Sequence, residues 1–322
     1  VAIGVDALGT QNFTTATNSN NTAVGHQAGL RVTTGIENTL IGNIAGDALT
    51  DADHNIAIGI AALSADTLGG RSVAVGAFAL LTQNFTTATD TFNTAVGYDA
   101  GRLVTTGVRN TIIGGLAADA LTTGTDNVFV GYAAGKEGTT TTTGDGNVLV
   151  GPYNHTNSND ENQAHGFGYN LNCAGGFTTL GEAGNDIRAA HGNVTWATVS
   201  DQRYKKDIVN STAGLAFIND LTPRTFKYKN LGELPETFGA YEAGSTEVFK
   251  NSTTNHGFIA QEVKAAIDAH SELKDGFTMW GERSDGGQEL GEAALVPMLV
   301  KALQELSAKN DALEARIATL EG

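Results

Sequence analysis

The chain has 322 residues, a formal net charge of −16 and a single cysteine. That length allows two or three domains, and the acidic balance argues against nucleic acid or an anionic membrane surface as a partner. The lone thiol, Cys173, excludes an intrachain disulfide framework and a cysteine-rich metal site, and reads as a buried or half-buried side chain.

The region from Val1 to Gly151 is a repeat array. One phrase reads NTAVGHQA from Asn21, NTLIGNIA from Asn38, NIAIGIAA from Asn55, SVAVGAFA from Ser72 and NTAVGYDA from Asn93. It continues as NTIIGGLA from Asn110, NVFVGYAA from Asn127 and NVLVG from Asn147. Its glycines (Gly4, Gly25, Gly42, Gly59, Gly76, Gly97, Gly114, Gly131 and Gly151) lie mostly 17 residues apart, twice 21 and once 20. A longer period of 72 returns TQNFTTAT at Thr10 as TQNFTTAT at Thr82. Repetition on this scale means a solenoid.

The residue before each glycine is Val or Ile, and the one before that is also apolar, which favours a strand. Adjacent strand residues face opposite sides, so both faces are apolar. One face then packs inside the coil and the other against neighbouring chains. Glycine provides a tight turn, the Ala three residues later fits a crowded corner, and Asn at the phrase start hydrogen-bonds between stacked rungs. With a rise of about 4.8 Å per rung, the array spans on the order of 40 Å. The longer connections, Gln11–Asn20 and Gln83–Phe92, are expected to form surface loops suited to binding. These phrases resemble the head repeats of trimeric autotransporter adhesins and of phage tail-fibre proteins. The resemblance implies a trimeric parallel β-roll of 17–21-residue rungs, making the N-terminal half mainly β.

From Pro152 to Val199 the phrase is lost, and the stretch reads as a β-rich neck with strand-like pieces at Phe177 (FTTLG) and Asn193 (NVTWATV), where Trp196 packs at an interface. Lysines appear after Ser200, opening an α+β unit over 200–322. Gly214–Asn230 predicts a short helix, a proline turn and a strand; NHGFIAQEVKAAIDAH predicts a strand leading into an amphipathic helix that ends at His270. Phe277–Leu290 reads as a hairpin. The last helix, about 292–321, accepts Pro297 only in its first turn. Its heptad seam has Leu299, Leu306, Leu313 and Leu320 at d and Val296, Leu303, Asn310 and Ile317 at a, the pattern of a coiled coil.

Four features in order (S-D-x-R-x-K at Ser200, LTPRTFKYK, HGFIAQEV and the closing heptad helix) resemble the peptidase S74 family of intramolecular chaperones at the ends of phage endosialidases and tail fibres. The resemblance implies a domain that trimerises, helps the preceding β-fibre fold in register, and releases itself by autoproteolysis. It assigns Ser200 as nucleophile and Lys205 as general base, with Asp201, Arg203 and His256 as accessory residues. It places the cut at Ser200–Asp201. Ring geometry leaves Val199–Ser200 open as the alternative, because a serine attacking its own carbonyl would close a four-membered ring.

No cofactor or metal is expected. Asp51, Asp53, Asp126 and Asp145 precede rungs without the alternating ligands of a calcium loop, and the histidines lack metal spacing. GFGYN at Gly166 lacks the context of a phosphate loop. The expected protein is a homotrimeric phage tail fibre or spike on the virion, touching a host-surface receptor (a glycan or outer-membrane component) and other tail proteins. Its chaperone domain would fold in the host cytoplasm, and its only enzyme activity would be self-cleavage. The alternatives are a bacterial trimeric adhesin head and a polysaccharide-acting tailspike. No run of about 20 apolar residues exists to cross a bilayer as a helix. No signal peptide is visible, and a chain opening at Val1 inside a repeat reads as a fragment or processed product.

Overall fold

The computed structural model describes residues 1–136, 141–192, 196–197, 200–273 and 277–321. The expected strand at Asn193–Val199 therefore lies mostly outside the described residues, as does the Val199 side of the Val199–Ser200 bond. The chain divides into two compact units, Val1–Asp201 and Gln202–Gly322.

In the first unit each repeat phrase contributes a three-residue strand, and consecutive strands pair in parallel. Thr22–Val24, Thr39–Ile41, Ile56–Ile58, Val73–Val75, Thr94–Val96, Thr111–Ile113, Val128–Val130 and Val148–Val150 form one unbroken series. The register aligns the phrases position by position, so that Ala23, Leu40, Ala57, Ala74, Ala95, Ile112, Phe129 and Leu149 stack in one column. Every member of that column is fully buried. The residues on either side point outward. Ile3, Ile41, Ile56, Val96 and Ile113 are between 36% and 59% exposed, a β-branched stripe that this chain alone leaves in water. The two-faced strand is thus real: one face fills the coil and the other is left largely exposed by this chain.

Glycine after the strand is required by geometry. Gly42 has φ +139°, and a Cβ there would run into the carbonyl oxygen of Gly59 on the next coil. The Ala three residues further on (Ala28, Ala45, Ala62, Ala79, Ala100, Ala117 and Ala134) is at most 1% exposed throughout, as expected for a corner with no room for a larger group.

Asparagine supplies the internal polar scaffold. Asn38 donates from Nδ2 to the Ala52 carbonyl at 2.8 Å, and its Oδ1 accepts the backbone N–H of Asn55 at 2.9 Å. Asn110 repeats both bonds, to Gly124 and from Asn127. Each side chain closes its own turn and reaches the next coil, satisfying backbone groups that would otherwise be buried without partners.

The ladder runs on past Gly151. His165–Tyr169 pairs in parallel with Val148–Val150, and Phe177–Glu182 pairs in parallel with His165–Tyr169. Gly166 fills the inward slot that Leu149 holds one coil earlier, and Phe167 the outward one, so the coil persists where the phrase does not. Asn185–Ala190 then turns back antiparallel on Phe177–Glu182 and closes the twelve-stranded sheet. Cys173 is buried in the same interior, and burial pushes its thiol up to about 12.

Among its described residues the second unit has three α-helices: α1 (Leu215–Asp220), α2 (Ala260–Ala269) and α3 (Val296–Glu321). Arg224–Phe226 pairs antiparallel with Asn255–Gly257, and Trp280–Glu282 with Gln288–Leu290. The core gathers Phe217 of α1, Val263, Ala266 and Ile267 of α2, and Ala213, Leu273, Met279 and Leu295. Phe217 is at its centre, edge-on to both His270 and Phe277.

Candidate functional site

The expected processing residues fall on the seam in the chain between the two units. Ser200, exposed, and Asp201, half-buried, end the first unit. Arg203 and Lys205 belong to the opening of the second, where Gln202–Tyr204 makes a 3₁₀ turn closed by the Lys205 N–H on the Gln202 carbonyl at 3.0 Å. Tyr204, Ile208 and Val209 nearby are 61% to 86% exposed, unusual for side chains of this kind. His256 lies elsewhere in the second unit, exposed on the strand Asn255–Gly257 opposite Thr225.

The motifs that follow the turn are tied together by charge. Arg224, in LTPRTFKYK, grips Glu262, in HGFIAQEV, with two hydrogen bonds of 3.0 and 2.9 Å. That grip holds the Glu262 carboxyl below its usual range. A bidentate pair of this form fixes orientation as well as distance. It was not singled out from the sequence, although an Arg and a Glu in two short adjacent motifs are the visible signal.

A second clasp closes the helical core. His270, the residue capping α2, contacts Asp220 at the end of α1 through Nε2 at 2.8 Å and Glu272 through Nδ1 at 3.2 Å. The bond to Asp220 raises the imidazole pKa most, with Glu272 adding to it.

The long helix α3 uses one face for its own unit and leaves another open. Ala302 is its one buried residue among those described, and Glu305 Oε2 accepts the backbone N–H of Leu215 at 2.9 Å, capping the first turn of α1. That bond holds the Glu305 carboxyl below its ordinary range. The heptad residues Val296, Leu299, Leu303, Leu306, Leu313, Ile317 and Leu320 are all exposed, from 43% at Leu299 to 84% at Leu320. The seam therefore does not serve as the inner face of an ordinary core helix. Its apolar residues are set at heptad spacing and left largely exposed by the described residues of their own unit.

The acidic residues before the rungs have structural work. Asp53 accepts the Ile36 N–H at 2.8 Å, Asp51 accepts from the Thr34 hydroxyl, and Asp126 pairs with Arg109. No grouping of three potential metal ligands occurs among the described residues, and no helix is long and apolar enough to cross a membrane.

Neither the comparison with curated proteins nor that with solved structures found a match. The comparison with protein families did: residues 200–272, from the Ser200 segment through the His270 clasp, match the peptidase S74 model, described as chaperone of endosialidase.

Proposed function

We propose that this chain is a fibre or spike protein whose repeat array (1–151) and connector (152–199) assemble as a homotrimer under the direction of the C-terminal domain (200–322). The observation that carries the reading is that each unit keeps an apolar surface it cannot cover itself. One is the outward β-branched stripe of the coils, and the other is the a/d seam of α3. Both surfaces have the spacing of a repeating partner like themselves, and a three-stranded helical seam brings three coils to a common start. Near-identical rungs need that start, because a shift by one rung still sets apolar against apolar.

The domain match supports a release step at Ser200. In the proposed reaction the Ser200 hydroxyl is the nucleophile, and Lys205 is the base that takes its proton, which requires surroundings that lower a lysine pKa. Asp201, Arg203 and His256 are its proposed helpers. Cleavage is assigned to the Ser200–Asp201 bond: a neighbouring chain's hydroxyl attacks the Ser200 carbonyl, the Asp201 amine leaves with the proton, and water hydrolyses the ester so formed. If a serine attacks within its own chain, the five-membered ring formed on the Val199 carbonyl moves the cut to Val199–Ser200. Once the coils have formed, removing the clamp leaves them kinetically locked. The fibre then belongs on a phage tail, with its loops facing a host-surface receptor such as a glycan.

Denaturing gel and intact mass on freshly expressed protein test the release step, with Ser200→Ala beside wild type. Wild type is expected as two pieces divided at Ser200, and the variant as one. Both remaining whole while the assembled particle forms would remove the protease assignment and leave the trimeriser standing.

A further inference from the structure

Seven residues after the reference glycines, the coil interior carries a column that is aliphatic at Val32, Leu49, Val104 and Leu121. The column is polar at the half-buried Gln11 of the first turn and, inside the array, in two consecutive turns. Asp66 and Gln83 occupy it, and both are as fully buried as their aliphatic counterparts. The asparagine column changes at the same place, with Ser72 where the turns before and after have Asn55 and Asn93.

The exceptions satisfy one another. Asp66 Oδ1 accepts the backbone N–H groups of Gly69 and Phe85, each at 3.0 Å, and Oδ2 accepts from Gln83 Nε2 at 2.6 Å. Gln83 Nε2 also donates to Ser72 Oγ at 2.8 Å, while its Oε1 accepts from Asn93 Nδ2 at 2.8 Å. Ser72 Oγ lies 2.6 Å from Thr91 Oγ1, which donates to the Gly70 carbonyl at 3.0 Å. The smaller Ser72 makes room for the glutamine, and Thr91 supplies the oxygen that receives the Asn93 N–H in place of an asparagine side chain. Five buried polar side chains thus form a closed set spanning two coil interfaces.

We propose that this junction is a register key, which fixes the order in which the coils of one chain stack. Skipping one of the aliphatic turns leaves the Asp66–Gln83 pair intact. Skipping here sets the Asp66 carboxylate against Val104, or leaves Gln83 beside Leu49 without its Asp66 acceptor. A buried polar or charged group without its partner is among the most unfavourable things a core can contain, and single buried polar residues are known to set register in other repeating assemblies. The key acts inside one chain, so it stands or falls independently of the trimer and of the cut at Ser200.

The test is refolding of the full-length chain from denaturant with paired cysteine reporters on the outward face. Ile58 and Val75 sit on adjacent strands, as do Val75 and Val96. Ile58 and Val96 are therefore two strand spacings apart, about 9.6 Å, beyond disulfide reach. A chain that skips one coil brings them together. Cys173 is replaced by Ala in every variant, so that no third thiol competes during refolding. With Ile58→Cys and Val96→Cys in place, Gln83→Met is expected to raise the intrachain crosslink several-fold over the unaltered junction. Asn127→Ala, which disrupts an ordinary rung, is expected not to raise it. Equal crosslinking with and without Gln83→Met, or an equal rise with Asn127→Ala, would overturn the proposal. Should Gln83→Met give no soluble chain, Ser72→Ala decides: a smaller rise in the same crosslink supports the key, and no rise overturns it.

Discussion

The coil unit buries polar side chains in columns: Asn21, Asn38, Asn55, Asn93, Asn110, Asn127 and Asn147 are all at most 3% exposed. Among the described residues the C-terminal unit buries none; its core is apolar, built around Phe217, and its ion pairs lie near the surface. The difference follows from periodicity. In a stack, the residue that closes one turn meets its own copy in the next, so one amide serves two coils and no coil is stable alone. A domain without repeats has no such copy to lean on, and it keeps its polar groups where water can reach them. The coils therefore depend on starting correctly, whereas the C-terminal unit carries a core of its own.

The comparison can be broken most sharply at the glycine turn. Gly42→Val adds a branched side chain at φ +139°, against the Gly59 carbonyl. The expected loss is at least about 3 kcal/mol, enough to remove the coil unit's cooperative melting transition while leaving that of the C-terminal unit. Calorimetry resolving two transitions checks this.

A smaller effect separates core from seam. Leu40, fully buried in the coil column, is expected to lose about 2–5 kcal/mol on Leu40→Ala. Leu306→Ala, at an exposed seam position, is expected to change the stability of its own unit by less than about 0.5 kcal/mol, yet to weaken association. Denaturant titration at low and high protein concentration distinguishes the two.

The smallest effect is a pH dependence confined to the C-terminal unit. Because Asp220, then Glu272, raises the folded pKa of His270, the clasp contributes fully below the usual histidine value of 6.5. That contribution is lost as pH rises through the raised value. His270→Gln is expected to flatten the unit's denaturation midpoint between about pH 6 and about pH 9, while the coil unit is unaffected.

Much of this was legible in the chain itself. The Val-Gly and Ile-Gly phrases specify strand, turn and two-sided apolarity because each demand falls on one fixed position. The α3 seam was equally readable from its spacing. Two features were hidden. The coils past Gly151 use Gly166 and Phe167 in place of Leu149 and Val150, so the pattern that marks a strand is gone while the backbone pairing persists. Gln83, expected at the start of a surface loop, is instead fully buried, and Asp66 carries no signal of its own until the stacking shows that both share a column with Val32 and Leu49. As for Ser200 and Lys205, the motif locates them in the chain, but they fall on either side of the division between two compact units.

The measurement that bears most directly on the whole account is the particle mass of the uncleaved Ser200→Ala chain by light scattering. Three chains per particle, with the β signal of the coils intact, is the predicted result. A single chain per particle with the same β signal would contradict it, because the coil stripe and the helix seam would then be stable in water without partners.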